Sequence, residues 1–129
     1  MSLDKEVVIK YRIDRANETI EEAKIMAQFG HWNTTANRLY YACFYVVIAL
    51  FLKDGIITKT HNGVISILVK DYLHKGIITQ KEAWLFGDLF NKRQESDYKD
   101  VRRFSKEEIE PLISEVEKFI LMIRELIGQ

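Results

Sequence analysis

Three short polar clusters hold the residues of this chain that could bind a ligand or carry out chemistry. In the first, Asn37-Arg38-Leu39-Tyr40-Tyr41-Ala42, one arginine enters an otherwise apolar segment. A guanidinium in such a segment needs a partner or a route to solvent. Arg38 therefore either pairs with an acidic residue on another helix or belongs to a binding site, and the sequence leaves both interpretations open.

The second cluster is Lys59-Thr60-His61-Asn62-Gly63, at the predicted start of a helix. Free backbone N–H groups together with Thr60 and His61 suit an anion such as phosphate. Capping of the helix by the Thr60 side chain explains most of the segment without any ligand. Both interpretations stay open here as well.

The third cluster, Arg93-Gln94-Glu95-Ser96-Asp97-Tyr98, lies at the predicted end of a helix. The spacing of Arg93 and Asp97 lets them touch on one helical face. Tyr98 would point about 140° away from Arg93 in an unbroken helix, so both join one site only if the helix ends or bulges near Ser96.

A local excess of basic residues surrounds the third cluster. Such a patch suits phosphate, whereas solvated charges at a helix end give the same pattern. The basic residues are Lys92, Lys99, Arg102 and Arg103, against the acidic Glu95, Asp97 and Asp100.

Several other kinds of site lack the residues they need. The three histidines His31, His61 and His74 do not have the spacing of metal ligands. Cys43 lies inside an apolar run, which is typical of a small buried residue rather than a nucleophile. Neither a glycine-rich phosphate loop nor a nucleophile elbow is present. We therefore predict no metal site and no bound cofactor.

The composition indicates one globular domain over residues 1–129, with 47% hydrophobic and 29% charged residues. Lysine plus arginine and aspartate plus glutamate both total 19, so no global charge favours nucleic acid or a membrane surface. The longest run without a polar residue, Leu39 to Leu52, is shorter than the roughly 20 residues of a membrane span. Together with the lack of a signal-peptide pattern, this predicts a buried central helix, no membrane span and a cytoplasmic protein.

The spacing of apolar residues predicts an all-α fold, an up-and-down bundle of about five helices. Asn33 or Thr34 is expected to cap the second helix, and capping boxes at Thr79–Glu82 and Ser105–Glu108 open the last two. Pro111 is expected to kink or delay the first turns of the last helix. The predicted helices cover about residues 4–28, 33–54, 61–75, 79 to the Arg93 region, and 105 onward.

The fourth predicted helix carries more apolar surface than one core requires. Its large apolar residues cover an arc of about 240°, whereas a core-facing stripe needs only about 100–140°. The surplus either packs under a loop or the fifth helix, or forms a second buried surface, most simply a two-fold dimer interface. These residues are Trp84, Leu85, Phe86, Leu89 and Phe90.

The order and spacing of four short motifs resemble the signature of the HEPN family over nearly the whole chain, from about Tyr11 to Leu121. The motifs are Arg15 with Ala16, Arg38 followed by Tyr40-Tyr41-Ala42, the segment Lys59-Thr60-His61-Asn62-Gly63-Val64, and Arg93 with Asp97-Tyr98. The resemblance implies a helical bundle that forms a homodimer with a polar cleft at its interface. It also implies a separately encoded minimal nucleotidyltransferase as partner, in some cases as antitoxin to a HEPN toxin.

Many HEPN proteins are metal-independent ribonucleases that use an arginine followed after a few residues by a histidine. In that pair the arginine stabilises the phosphate in the transition state and the histidine transfers protons. Arg93 matches the arginine, but no histidine follows His74, and Tyr98 stands where a histidine is expected. A phenol is a poor general base at neutral pH, although it can still donate a hydrogen bond.

The resemblance implies a phosphate or nucleotide site in which Arg93 holds phosphate, Asp97 orients Arg93, and Tyr98 hydrogen-bonds or stacks. Arg38, Tyr41 and His61 are expected to support it. The leading hypothesis is a homodimeric HEPN module that binds a nucleotide or RNA phosphate and acts with a minimal nucleotidyltransferase. The alternatives are a ribonuclease toxin working with Arg93 and Tyr98, and a plain helical interaction protein.

Overall fold

All secondary structure in the described residues, 2–98 and 102–129, is helical in the computed structural model. The side chains of residues 2, 3 and 98 lie outside the described part. This architecture confirms the predicted all-α bundle of five helices. The helices are α1 (Ser2–Gln28), α2 (Trp32–Lys53), α3 (His61–Ile67), α4 (Gln80–Tyr98) and α5 (Lys106–Ile127), with a π-helical segment Leu68–Leu73 directly after α3.

Helix α2 is the central helix, as the apolar run predicted, and it packs against α1, α4 and α5. Among the described helices it is the one long and apolar enough to cross a membrane by length and composition. However, 61% of its most apolar 18-residue stretch is buried inside the bundle, as expected for the core helix of a bundle. Cys43 at its centre is fully buried, and this burial raises the pKa of the thiol.

The apolar faces of α1 and α5 point inward. On α1, Ala16 and Ala23 are fully buried, and such small side chains allow the α2 backbone to approach closely. Ile13 and Ile20 complete the same face. On α5 the buried stripe consists of Ile109, Val116, Ile120, Ile123 and Ile127, with Leu112 half-buried beside it.

Both predicted capping boxes are present. The Ser105 hydroxyl accepts from the Glu108 N–H at 3.3 Å, and the Glu108 carboxylate accepts from the Ser105 N–H at 3.0 Å. Thr79 and Glu82 make the same reciprocal pair at the start of α4. Pro111 lies inside α5, yet the helix already begins at Lys106, so the expected delay of its first turns is absent.

The predicted cap of α2 is wrong. Helix α2 begins at Trp32 with His31 in the capping position and no side-chain cap. The Asn33 amide instead donates to the Arg102 carbonyl and accepts from the Phe104 N–H, both at 2.8 Å. Asn33 thus satisfies two backbone groups far along the chain, a role that local sequence does not reveal.

The third predicted helix is not α-helical throughout, because residues 68–73 widen into a π-helix. Tyr72 in this segment donates to Asp54 at 2.6 Å and stacks on Phe51 with ring centres 5.4 Å apart. These contacts tie the segment to the end of α2. Gly76 follows with a φ of 75°, which suits a glycine just past a helix end.

The surplus apolar surface of α4 is mostly buried within the chain. Phe86 is fully buried between Tyr40 of α2 and Phe119 of α5, and Leu89 is fully buried as well. Trp84, by contrast, is 65% exposed. Apart from Trp84, therefore, this surface gives no structural reason for a second interface, and the homodimer stays a prediction from the family resemblance.

Candidate functional site

Helix α4 holds Arg93 against the aromatic side chains of α2, with only 8% of the residue exposed. Its guanidinium carbon lies 5.3 Å from the ring centre of Tyr40 and 5.8 Å from that of Tyr41. Phe90, one helical turn earlier on α4, is 5.7 Å away. Three ring faces around a largely desolvated cation stabilise it by cation–π attraction and fix where it points.

The polar contacts of Arg93 compensate its charge only in part. Nη1 donates to the Tyr41 hydroxyl at 3.3 Å and lies 3.6 Å from a carboxylate oxygen of Asp97. The Arg93–Asp97 contact predicted from the helical spacing is thereby confirmed. Nε is buried and has no hydrogen-bond acceptor among the described side chains. A buried cation with an unfilled donor is costly, so this arrangement is typical of a group kept for an anion.

A second row of polar residues connects Arg93 to α1. The Asn37 amide donates to Asp97 at 3.5 Å and accepts from Arg38, whose Nη2 lies 2.8 Å away. Arg38 also forms an ion pair with Glu22 of α1 at 3.1 Å. This pair confirms the structural interpretation of Arg38, although its guanidinium also lies 5.4 Å from the Tyr41 ring centre and thus borders the site.

His61 reaches the same aromatic side chains from the start of α3. Its Nδ1 lies 2.6 Å from the Tyr40 hydroxyl, and its ring centre lies 5.9 Å from that of Tyr41. Burial and the Arg93 charge lower the pKa of His61 below its ordinary value of 6.5. Burial raises the pKa of Tyr40. Both side chains are therefore neutral at neutral pH.

Two residues of the second polar cluster have different roles: Thr60 caps α3, and His61 contacts Tyr40 beside Arg93. The Thr60 hydroxyl accepts from the Gly63 N–H at 2.9 Å, which confirms that it caps α3. His61 points to the side chains around Arg93 instead. The cap accounts for the Thr60 side chain, and the described contacts of this segment do not indicate an anion site.

The structure brings together all the predicted site residues whose side chains it describes. We call this group the arginine cluster: Asn37, Arg38, Tyr40, Tyr41, His61, Arg93 and Asp97. Tyr98 ends α4, which runs unbroken past Ser96, and the Tyr98 side chain lies outside the described residues. Tyr40 and Asn37 were not predicted as site residues. A tyrosine inside an apolar helix needs a partner for its hydroxyl, and this signal could have found Tyr40.

Two of the four basic residues around the third cluster, Lys92 and Arg102, form ion pairs within the chain. Lys92 contacts Asp88 at 2.8 Å, and Arg102 contacts Glu95 at 2.9 Å and Glu108 at 2.6 Å. Lys99 and Asp100 lie outside the described residues. These ion pairs leave Arg93 itself, rather than a surrounding basic surface, as the main candidate for binding an anion.

A cleft of about 430 Å³ adjoins the arginine cluster between the start of α1, the end of α2 and the segment before α3. His61, a member of the cluster, lines this cleft together with Phe44, and the two ring centres lie 4.6 Å apart. The rest of the wall is mainly apolar, and its charged lining residues are Lys5, Arg12 and Lys59 against Asp4. Its volume falls within the roughly 300–1,000 Å³ of small-molecule sites.

The five-helix bundle matches the fold that the sequence motifs imply. The family model "HEPN domain" matches residues 9–126, so this chain belongs to the HEPN family. It is 30% identical to a "UPF0332 protein" of Thermotoga maritima, over 96% of this chain and 94% of the relative.

Two further relatives come from Methanocaldococcus jannaschii, and each is named "Putative toxin". One is 29% identical over 94% of this chain and 90% of its own length. The other is 28% identical over 78% of this chain and 69% of its own length.

The lowered pKa of His61 predicts that acid destabilises the protein through this residue. Between its folded pKa and about 6.5, the unfolded chain binds more protons than the folded one, so stability falls as the pH drops through this window. We expect His61→Asn to lose less stability than the parent between neutral and mildly acidic pH, in urea unfolding followed by circular dichroism. His74→Asn, at an exposed position, is the matched control. Equal acid sensitivity of parent and His61→Asn would contradict the prediction.

Proposed function

We propose that this chain is a HEPN module that binds an RNA or nucleotide phosphate at the arginine cluster. The observation that carries the proposal is Arg93: a cation 8% exposed, enclosed by three aromatic rings and facing one carboxylate at 3.6 Å. A phosphate oxygen that reaches the guanidinium would add charge-assisted hydrogen bonds to its Nη groups.

The position of Arg93 suits binding of one phosphate better than binding along a strand. The net charge of the chain is zero, and the neighbouring Lys92 and Arg102 are already paired with carboxylates. Attraction to RNA therefore has to be local. A base next to that phosphate would find aromatic surface on Tyr41 and Phe44, and base–aromatic stacking contributes roughly 1–3 kcal/mol per base.

We further propose that the module acts as a homodimer with a separately encoded minimal nucleotidyltransferase. The family resemblance is the main support for both. The surface also keeps large apolar side chains that another chain would cover, among them Tyr11 at 62%, Ile57 at 81% and Trp84 at 65% exposure. A ribonuclease toxin is the second candidate function, favoured by the names of the two Methanocaldococcus jannaschii relatives.

Binding of a fluorescent single-stranded RNA, measured by anisotropy, tests the proposed function. The oligomeric state is measured in the same samples by light scattering, and ATP and inorganic phosphate serve as competitors. We expect binding that weakens with salt. The slope of log K against log salt should be about −0.7 for each phosphate held, so contact with one or two phosphates predicts a shallow slope.

Two results would count against the proposal. A folded protein that binds neither RNA nor ATP at low salt would leave the arginine cluster with a structural role. Steep salt dependence would place the RNA on a broad basic surface instead of at Arg93.

A further inference from the structure

The fold places a histidine next to Arg93 although the motif at the end of α4 contains none. His61 and Arg93 lie against the same two tyrosine rings: the imidazole centre is 5.7 Å from Tyr40 and 5.9 Å from Tyr41. The guanidinium carbon lies at 5.3 and 5.8 Å from those rings. The two groups thus contact the same pair of rings, and the charge of Arg93 acts on His61, although the two residues are far apart in the sequence.

We propose that His61 is the proton-transfer residue of an RNA-cleaving site in which Arg93 binds the phosphate that is cleaved. The proposal rests on the proposed function, because it requires an RNA phosphate at Arg93. It adds a reaction to the binding and assigns the acid–base role to α3 rather than to the end of α4.

The hydrogen bond to Tyr40 leaves one imidazole nitrogen available for chemistry. At 2.6 Å, Nδ1 and the Tyr40 hydroxyl are paired, and this contact fixes the ring. Nε2 is on the other edge of the ring, and His61 also lines the cleft. When Nδ1 donates to the tyrosine oxygen, Nε2 carries a lone pair and can accept a proton.

The surroundings of His61 favour a base over a cation at neutral pH. Burial lowers the pKa of His61, the charge of Arg93 on α4 lowers it further, and Tyr40 of α2 is uncharged at neutral pH. From α1, Arg12 lines the same cleft, and Lys59 precedes α3. The cations Arg93, Arg12, Lys59 and Lys5 disfavour imidazolium, whereas Asp4, which also lines the cleft, opposes them.

The reaction that suits this pair is transesterification within RNA. Nε2 of His61 accepts the proton of a ribose 2′-hydroxyl, and the oxygen attacks the adjacent phosphorus. The bond from phosphorus to the 5′-oxygen breaks, and that oxygen takes a proton from water. His61 then returns its proton to solvent, leaving a 2′,3′-cyclic phosphate and a 5′-hydroxyl. Arg93 stabilises the charge that develops on the non-bridging oxygens.

The cleft next to His61 has room for the nucleoside whose hydroxyl attacks. It measures about 430 Å³, with Phe44 beside His61 and aliphatic side chains such as Ile48 and Val64 on its walls. A base in this cleft would bring its ribose to the edge that His61 lines. DNA has no 2′-hydroxyl, so the same site binds a DNA strand without cleaving it.

The test compares parent, His61→Asn and His74→Asn for both binding and cleavage of one short labelled RNA. The asparagine amide N–H can donate to the Tyr40 oxygen in place of Nδ1, so the fold keeps this hydrogen bond while proton transfer is lost. We expect cleavage by His61→Asn to be slower by at least about 100-fold while the variant still binds the RNA through Arg93. His74→Asn is expected to cleave like the parent, and mass spectrometry is expected to show 2′,3′-cyclic phosphate ends.

A second variant separates loss of chemistry from loss of structure. Added imidazole is expected to restore part of the cleavage by His61→Ala, because the cleft admits the free base where the side chain was. Cleavage by His61→Asn at the parental rate would overturn the inference. A parent that binds RNA at the arginine cluster without cleaving it would also overturn the inference and leave the proposed function standing. Absence of any binding would instead remove the proposed function.

Discussion

Replacing Arg93 by methionine is expected to weaken RNA binding about 10- to 100-fold while leaving the fold intact. The loss corresponds to about 1.5–3 kcal/mol, the contribution of hydrogen bonds to a charged group. Methionine keeps the volume between the rings of Tyr40, Tyr41 and Phe90 and makes favourable sulfur–aromatic contacts. The variant removes a buried charge whose Nε lacks an acceptor in the described part, so the free energy of unfolding should change by less than about 1 kcal/mol.

Lys118→Met is the matched control, because it removes one positive charge from an exposed position on α5. Its RNA affinity should equal that of the parent if binding depends on the arginine cluster and not on total charge. Unchanged affinity of Arg93→Met, combined with a loss of more than about 2 kcal/mol in stability, would identify Arg93 as a structural residue. That outcome would favour the alternative in which the chain is a plain helical interaction protein.

Truncating Phe86 to alanine is expected to destabilise the fold by about 3–5 kcal/mol. The ring is fully buried, with its centre 5.5 Å from Tyr40 and 6.3 Å from Phe119. It therefore joins α4 to both α2 and α5, and its removal leaves a cavity that three helices border. Urea unfolding followed by circular dichroism measures the change, and the RNA affinity should fall as Tyr40 loses its support.

Trp84→Ala on the same helix is the comparison, since this larger side chain is 65% exposed. At low protein concentration its effect on stability should stay within about 0.5 kcal/mol. A concentration-dependent loss in Trp84→Ala would show that a second copy covers this face in solution. A loss as large as that of Phe86→Ala at every concentration would contradict the packing described for α4.

The sequence predicts the helices well because their apolar spacing and capping boxes are local signals. Residues from Thr79 to Glu82 and from Ser105 to Glu108 specify helix starts within one turn, and the structure has both. Asn33 was misassigned for the opposite reason. Its partners at Arg102 and Phe104 follow some seventy residues later, and a good capping residue looks the same whether it caps or bridges.

In the candidate site, too, some contacts follow from local sequence and others depend on residues far apart in the chain. The contact of Arg93 with Asp97 follows from helical spacing, and the structure has it at 3.6 Å. The approach of His61 to the side chains around Arg93 depends on where the fold places the start of α3 beside α2, and no local pattern encodes that. Counting charges along the chain also overlooks ion pairs such as Arg102 with Glu108, which reduce the basic excess that the sequence suggests.

The burial of Cys43 gives this protein a built-in chemical reporter. It is the one cysteine in the sequence, it lies at the centre of α2, and its raised thiol pKa disfavours the reactive thiolate. A thiol reagent can therefore modify it only when the bundle opens around α2. The rate of labelling under native conditions then measures how often the centre of the molecule is exposed, without any introduced probe. Bound RNA or a second subunit that stabilises the bundle would slow this rate, so one residue far from any surface can report on events there.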